Sequence, residues 1–128
     1  MALYTFDYNF AYSPSAPFVT LEVGAGSTTA GLTLSAMIDS GADATLLPLP
    51  LLKRLRAPRL DTRILRTVTG VRTPVSLFRV WLRIGPAHLR NVHAIGIETT
   101  EGAILGRDVL NQLIVTLNGL AAVTEISQ

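Results

Sequence analysis

Along most of this chain, apolar residues recur at every second position. Leu32, Leu34, Ala36 and Ile38 alternate with Thr33 and Ser35, the period of a strand with one buried face. The same alternation predicts strands over residues 18–23, through Val19, Leu21 and Val23, and over residues 3–10, where Tyr4, Phe6, Tyr8 and Phe10 share one face that something must cover. Residues 64–69 and 75–84 read as two strands about a turn at 70–74. On the second of these, Phe78, Val80, Leu82 and Ile84 are apolar while Arg79 and Arg83 lie opposite. Gly85-Pro86 turns the chain into a strand over residues 89–97. Near the end, Asn118-Gly119 between two apolar runs, 114–117 and 120–126, is a strong hairpin signal.

Helical spacing is rare. Leu51, Leu52 and Leu55 predict a short helix over residues 49–56, with Pro50 tolerated in its first turn and Pro58 closing it. A second short helix follows Gly106, where Asp108 reads as an N-cap before Val109, Leu110 and Leu113. Gly24, Gly26 and Gly31 do not fit a dinucleotide-binding glycine pattern, and no helix follows them, so a phosphate loop is set aside.

Composition adds exclusions. With 128 residues, 48% of them hydrophobic and 16% charged, the chain reads as one globular domain rather than a disordered one. The chain has no cysteine, hence no disulfide framework, thiolate metal site or cysteine nucleophile. Its apolar runs fall short of the roughly 18 residues of a membrane span, and no signal-peptide pattern opens it, so it reads as soluble as given, with its location unknown. Ten of the eleven basic residues fall between Lys53 and Arg90, where Asp61 is the sole acid. Such a balance attracts nucleic acid or an acidic partner, but no aromatic platform or RNA-binding motif interleaves with it, and solvated strand faces are the preferred reading. His88 and His93 stand an odd number of residues apart, which places them on opposite faces of a regular strand, and no third ligand accompanies them; no metal site and no cofactor are expected.

One carboxylate falls where an apolar strand ends. Asp39-Ser40-Gly41-Ala42 follows Ala36-Met37-Ile38, and supplies an acid, a hydroxyl that bonds locally to backbone, and a glycine that permits a tight turn. The stretch resembles the active-site loop of aspartic proteases, Asp-Thr/Ser-Gly-Ala/Ser after an apolar strand. A single such loop in a chain of this length resembles the retropepsins, the retroviral-type members in which two identical chains each contribute one aspartate. Ala103-Ile104-Leu105-Gly106-Arg107-Asp108 is similar to their second motif, two apolar residues, Gly, Arg and Asn/Asp before a short helix. The leucine-bearing segment and the hairpin between the two motifs stand in the family's order.

The resemblance implies an all-β, single-domain retropepsin-like fold over residues 1–128, with one or two short helices, a closed β-barrel-like core, a flap hairpin and a homodimer. Residues 1–16 would form an N-terminal strand or extension at the dimer interface. Asp39 would be catalytic, supported by Ser40, Gly41 and Ala42. Asp43, Thr69, Gly70, Val71 and Arg72 would bind substrate, with Gly70 and Val71 at the flap tip, and Arg107 would pair with Asp43 beside Gly106 and Asp108. The implied activity is that of an aspartic endopeptidase in which Asp39 of each chain acts on a shared water, acting on peptides or proteins with an acidic pH optimum, no metal and no covalent intermediate. Two other readings stand beside it: a catalytically silent dimerisation or peptide-binding module of the same fold, and a basic nucleic-acid-associated domain.

Overall fold

The computed structural model describes residues 3–98 and 102–128. Strands β2 (Phe18–Gly24) and β3 (Leu32–Ile38) form an antiparallel pair, with Val19 opposite Ala36 and Leu21 opposite Leu34. The remaining strands are β4 (Leu46–Pro48), β5 (Arg59–Arg66), β6 (Arg72–Ile84), β7 (Ala87–Ile97) and β8 (Ala103–Leu105). β3 pairs in parallel with β8, β8 with β4, β4 in parallel with β7, and β7 with β6. β6 then returns to β2 through Glu22–Arg83, Val23–Leu82 and Gly24–Trp81, so six strands close a barrel. A barrel of this size is filled by its own side chains. Small residues, Ala36, Ala87, Ala94 and Ala103, let the walls approach, and Leu21, Leu47, Leu82, Ile84 and Leu105 fill the interior, all buried. Each of the larger side chains contributes about 1.5–3 kcal/mol by leaving water. The expected closed β-barrel-like core is present.

Two short helices attach to it. α1 (Leu49–Arg54) has Pro50 in its first turn and seals one end of the core with the fully buried Leu52. α2 (Arg107–Leu110) directly follows β8. β5 lies outside the ring and pairs only with β6, giving a long two-stranded arm. A separate three-stranded sheet joins β1 (Tyr4–Asp7), β10 (Val123–Ser127) and β9 (Ile114–Asn118) in that order.

Several boundaries differ from the expected ones, each for a local reason. The aromatic N-terminal strand stops at Asp7. Asn9 then turns the chain, its side chain accepting the Ala11 N–H at 2.9 Å and its backbone bridging Ala16, so Phe10 is 71% exposed while Phe6 alone of the alternating set packs on the core. The turn of the long hairpin falls at Thr67–Gly70, earlier than Pro74, because Gly70 donates to the Thr67 carbonyl at 2.9 Å. Pro74 sits within β6 opposite Ile64. β7 pairing begins only at Ser76, so the missing Pro74 N–H falls on an unpaired side of the strand. The last hairpin closes on Asn118 opposite Val123, through a loop stabilised by the Asn118 side chain and by Ala122 at φ 55°.

The histidines require a larger correction. Between Val80–Val92 and Leu82–Leu89, β7 carries one extra residue, with Asn91 at φ 57°. The bulge resets the alternation, so His88 lies opposite Arg83 and His93 opposite Arg79, both histidines on the outer face. Trp81 is buried there, with the Arg83 guanidinium 5.0 Å over its ring and His88 edge-on at 5.3 Å; it packs rather than offering a stacking surface.

The barrel seam is electrostatic as well as hydrogen-bonded. Glu22 pairs with Arg83, and its other carboxylate oxygen accepts the Gly31 N–H at 2.9 Å. The Gly31 hydrogen bond, opposed by desolvation and aided by Arg83, holds the Glu22 carboxyl below its ordinary 4.5. His88 is held below 6.5 by desolvation and by repulsion from Arg90 and Arg83. A depressed carboxyl contributes stability above its unfolded value and loses it as pH falls; a depressed histidine contributes nothing while neutral and destabilises the fold as pH falls below its own unfolded value. Acidification from neutrality therefore weakens the fold through both groups. Melting curves across pH should show Glu22→Gln less stable than the wild type at pH near 7, with the two converging below the Glu22 titration; equal gaps at all pH values would contradict this role.

Candidate active site

Asp39 begins the loop where β3 leaves the sheet. Its own N–H donates to the Leu105 carbonyl at 3.1 Å, extending the parallel β3–β8 pairing by one bond, and its side-chain oxygen accepts the Gly41 N–H at 2.9 Å. That contact is an Asx turn, closed by Ala42 N–H on the Asp39 carbonyl at 3.2 Å. Ile38 is anchored from the other side by the Pro17 carbonyl at 3.0 Å. The acid is thus fixed by backbone on both flanks while remaining only half-buried.

The second motif clamps this loop. Arg107 N–H donates to the Ala42 carbonyl at 2.9 Å, and the Arg107 guanidinium donates to the Ser40 carbonyl at 2.7 Å and pairs with Asp43. The expected Asp43–Arg107 pair therefore forms. It lies at the surface, with the Asp43 side chain 89% exposed, so its contribution to a single chain is small. Gly106 meets the loop from below: a Cβ there would lie 2.5 Å from the carbonyl carbon and oxygen of Ala44. No other residue type fits between β8 and the loop.

Asp108 does not cap α2. The helix begins at Arg107 after Gly106, and the Asp108 carboxylate accepts the Val109 N–H and the Thr45 hydroxyl, each at 2.9 Å. Thr45 escaped the sequence reading. It is fully buried, accepts the Gly106 N–H at 3.2 Å while donating to Asp108, and offers its carbonyl to Ile95. The available signal was a hydroxyl set between Ala44 and Leu46 in an otherwise apolar run, since a buried hydroxyl needs partners.

The arm formed by β5 and β6 carries the remaining candidates. Thr69 and Gly70 lie in its turn, Gly70 at φ +84°, Val71 just beyond, and Arg72 opens β6 opposite Arg66. The Thr67 and Thr69 hydroxyls bond at 2.8 Å and brace the tip. Between this arm and the barrel lies a groove of about 360 Å³ lined by Leu49, Leu65, Val75, Gly96 and Ile97. The structure thus brings Ser40, Asp43 and Arg107 into contact around the Asp39 turn, and carries Thr69–Arg72 on a separate hairpin. Among the described residues, no group of three or more His, Asp or Glu side chains is placed to hold a metal.

Comparison with known proteins gives this arrangement a family. A family model described as aspartyl protease matches residues 25–109, from the end of β2 through the Asp39 turn to α2. The chain belongs to the aspartyl protease family. Its fold is that of the retropepsin-like aspartic proteases. The crystal structure of a retropepsin-like aspartic protease from Rickettsia conorii superimposes with a TM-score of 0.67 at 12% identity, covering 98% of this chain and 90% of that one. The EIAV protease, in complex with the inhibitor HBY-793, superimposes with a TM-score of 0.61 at 20% identity, covering 84% of this chain and 93% of that one. No curated protein matches this aspartyl protease by sequence. In the retropepsin-like fold the β5–β6 arm holds the place of the flap.

Proposed function

We propose that the chain is an aspartic endopeptidase whose active site is assembled from two copies, each supplying Asp39. The observation that carries this reading is the Asp39 turn itself: one acid, fixed by Leu105, Gly41 and the Arg107 clamp, on a loop whose Ser40, Gly41 and Asp43 remain exposed in the single chain. A lone carboxylate can act as a base or as an acid, but peptide hydrolysis at one site needs both at once. A two-fold axis supplies the second group from an identical residue. Two carboxylates within hydrogen-bond distance hold one proton between them, because both cannot ionise cheaply.

In the proposed cycle the ionised Asp39 takes a proton from a water lying between the carboxylates, and the water oxygen attacks the peptide carbonyl carbon. The protonated Asp39 of the other copy donates to the carbonyl oxygen, and proton transfer to the nitrogen releases the amine. Ser40, Gly41 and Ala42 hold the turn; Asp43, Thr69, Gly70, Val71 and Arg72 bind the substrate backbone from either side. Residues 1–128 act as one protease unit. The terminal sheet supports the pairing of copies, since its outer strands β1 and β9 each have one side unpaired in the single chain and present Tyr4, Ile114 and Leu117 to solvent.

Cleavage of a peptide library as a function of enzyme concentration and pH tests the proposal. Specific activity should fall on dilution as copies separate, and rate against pH should be bell-shaped because the pair titrates as a unit. A monomer that cleaves at full rate would contradict the shared site.

A further inference from the structure

The outer face of the barrel carries a basic pocket that shares no residue with the Asp39 turn, the turn of the β5–β6 arm or the groove beneath that arm. About 100 Å³ in volume, it is lined by Arg79, Val80 and Trp81 of β6, Arg90 and Asn91 of β7, and Gly26 between β2 and β3. Strand alternation sets Arg79, Trp81 and Arg83 on one outer face, and the β7 bulge, between Val80–Val92 and Leu82–Leu89, gathers Arg90 and Asn91 opposite Trp81. Bulges recur where a sheet re-aims side chains next to a site. The buried Trp81 is wedged against Gly24, where a Cβ would lie 2.0 Å from the indole. Its N–H is buried with no hydrogen-bond partner among the described residues, which leaves the positive end of a dipole uncompensated beside the pocket. Glu22, across the seam, is already engaged by Arg83 and by the Gly31 N–H. Arg79 and Arg90 are exposed; among the described residues no carboxylate lines the pocket, and the two ion pairs, Arg83–Glu22 and Arg107–Asp43, leave both guanidiniums without a counter-charge.

We infer that this pocket binds a compact oxyanion of the phosphate class, held between the Arg79 and Arg90 guanidiniums. The inference goes beyond the endopeptidase reading and does not depend on Asp39. A phosphate carries close to two negative charges above neutrality, which match the two uncompensated guanidiniums, and their planar forks suit its oxygens. Asn91 adds amide N–H groups at the rim, since its side-chain oxygen lies 3.2 Å from the His93 ring nitrogen. The volume admits one such group and excludes a nucleoside. A carboxylate supplies a single charge for the same two cations and fits less well. A polynucleotide finds no stacking platform, because the Trp81 ring is covered by Arg83. The occupant ties β6 and β7 to the β2–β3 turn where Gly24–Trp81 closes the barrel, so binding should stabilise the fold.

Trp81 is the only tryptophan of the chain, so its fluorescence reports on this pocket. Titration with inorganic phosphate at pH about 8, at an ionic strength held constant with chloride, should give a saturable change with a Kd of about 1 mM or below. Equilibrium dialysis with labelled phosphate should give a single site per chain. Acetate should bind at least about tenfold more weakly. O-phosphoserine distinguishes the sources of the group: affinity equal to that of inorganic phosphate supports a phosphate carried on a larger molecule, and much weaker binding supports the free ion. Arg79→Gln and Arg90→Gln should each weaken binding about tenfold, with melting curves unchanged in the absence of phosphate because both side chains are exposed. Arg66→Gln/Arg72→Gln removes as much charge from the arm and should leave the affinity within about twofold. Asp39→Asn should bind phosphate as the wild type does, whether or not the chain cleaves peptides. Absence of saturable phosphate binding, equal affinity for acetate and phosphate, or full binding by Arg79→Gln/Arg90→Gln would each overturn the inference.

Discussion

Replacing Asp39 by Asn is expected to abolish peptide cleavage while leaving the barrel folded. The amide matches the carboxylate in shape, and its oxygen still accepts the Gly41 N–H that holds the turn. The backbone bond from residue 39 to Leu105 does not involve the side chain at all. What the amide cannot do is accept a proton from water or donate one to a carbonyl oxygen. In a pair of identical copies, one substitution removes both groups together, so the loss should reach at least about a thousandfold, within the range attributed to acid–base groups acting in the transition state. The melting temperature should move by only a few degrees, since no buried packing changes. Turnover by the variant at more than a per cent or so of the wild-type rate, in a preparation free of other peptidases, would remove Asp39 from the chemistry. A wild type that is paired but silent on every peptide tried would instead favour a binding or dimerisation module of the same fold.

How much of this was legible beforehand follows from how local each determinant is. The strand ending at Ile38 and the acid after it could be read because alternation and turn chemistry are both short-range, and the Asp43–Arg107 pair followed from the resemblance of two motifs. The closure of the barrel through Val23–Leu82 and Gly24–Trp81 has no such local mark, since it joins strands distant in sequence through backbone alone. The β7 bulge was hidden for a different reason. Only Asn91, a residue that tolerates positive φ, hints at it, and one inserted residue was enough to reverse the face of His93. Pro74 was read as a turn residue because proline cannot donate to a ladder; in the fold, that side of β6 has no neighbour at this point. Asp108 followed the rule for N-caps but is drawn instead to Thr45, a partner 63 positions away.

Gly106→Ala should have the largest effect on stability of any single methyl added around the Asp39 turn. Gly106 adopts φ −91° and ψ −178°, extended backbone open to any residue, so the glycine is not required for its conformation. It is required for space. The added methyl would stand 2.5 Å from the Ala44 carbonyl carbon and oxygen and 2.9 Å from its nitrogen, all backbone atoms with no side-chain torsion to relieve them. Relief must come from separating β8 from the Asp39 loop, which strains the Gly106–Thr45 and Arg107–Ala42 hydrogen bonds together. Overpacking of this kind costs about 3 kcal/mol, the upper part of its usual range, and lowers the melting temperature by roughly 10 °C. Cleavage should fall further than folding, because the displaced loop is the one that sets where Asp39 lies. Gly70→Ala offers the contrast. Nothing lies within 4 Å of its missing Cβ, but φ is +84°, so its cost is conformational, about 1–2 kcal/mol, and confined to the flap turn. Calorimetry on the two variants should therefore show the larger loss at residue 106. If Gly106→Ala melted with the wild type, the second motif would not hold the Asp39 loop by close backbone contact, and the Arg107 clamp alone would have to position Asp39.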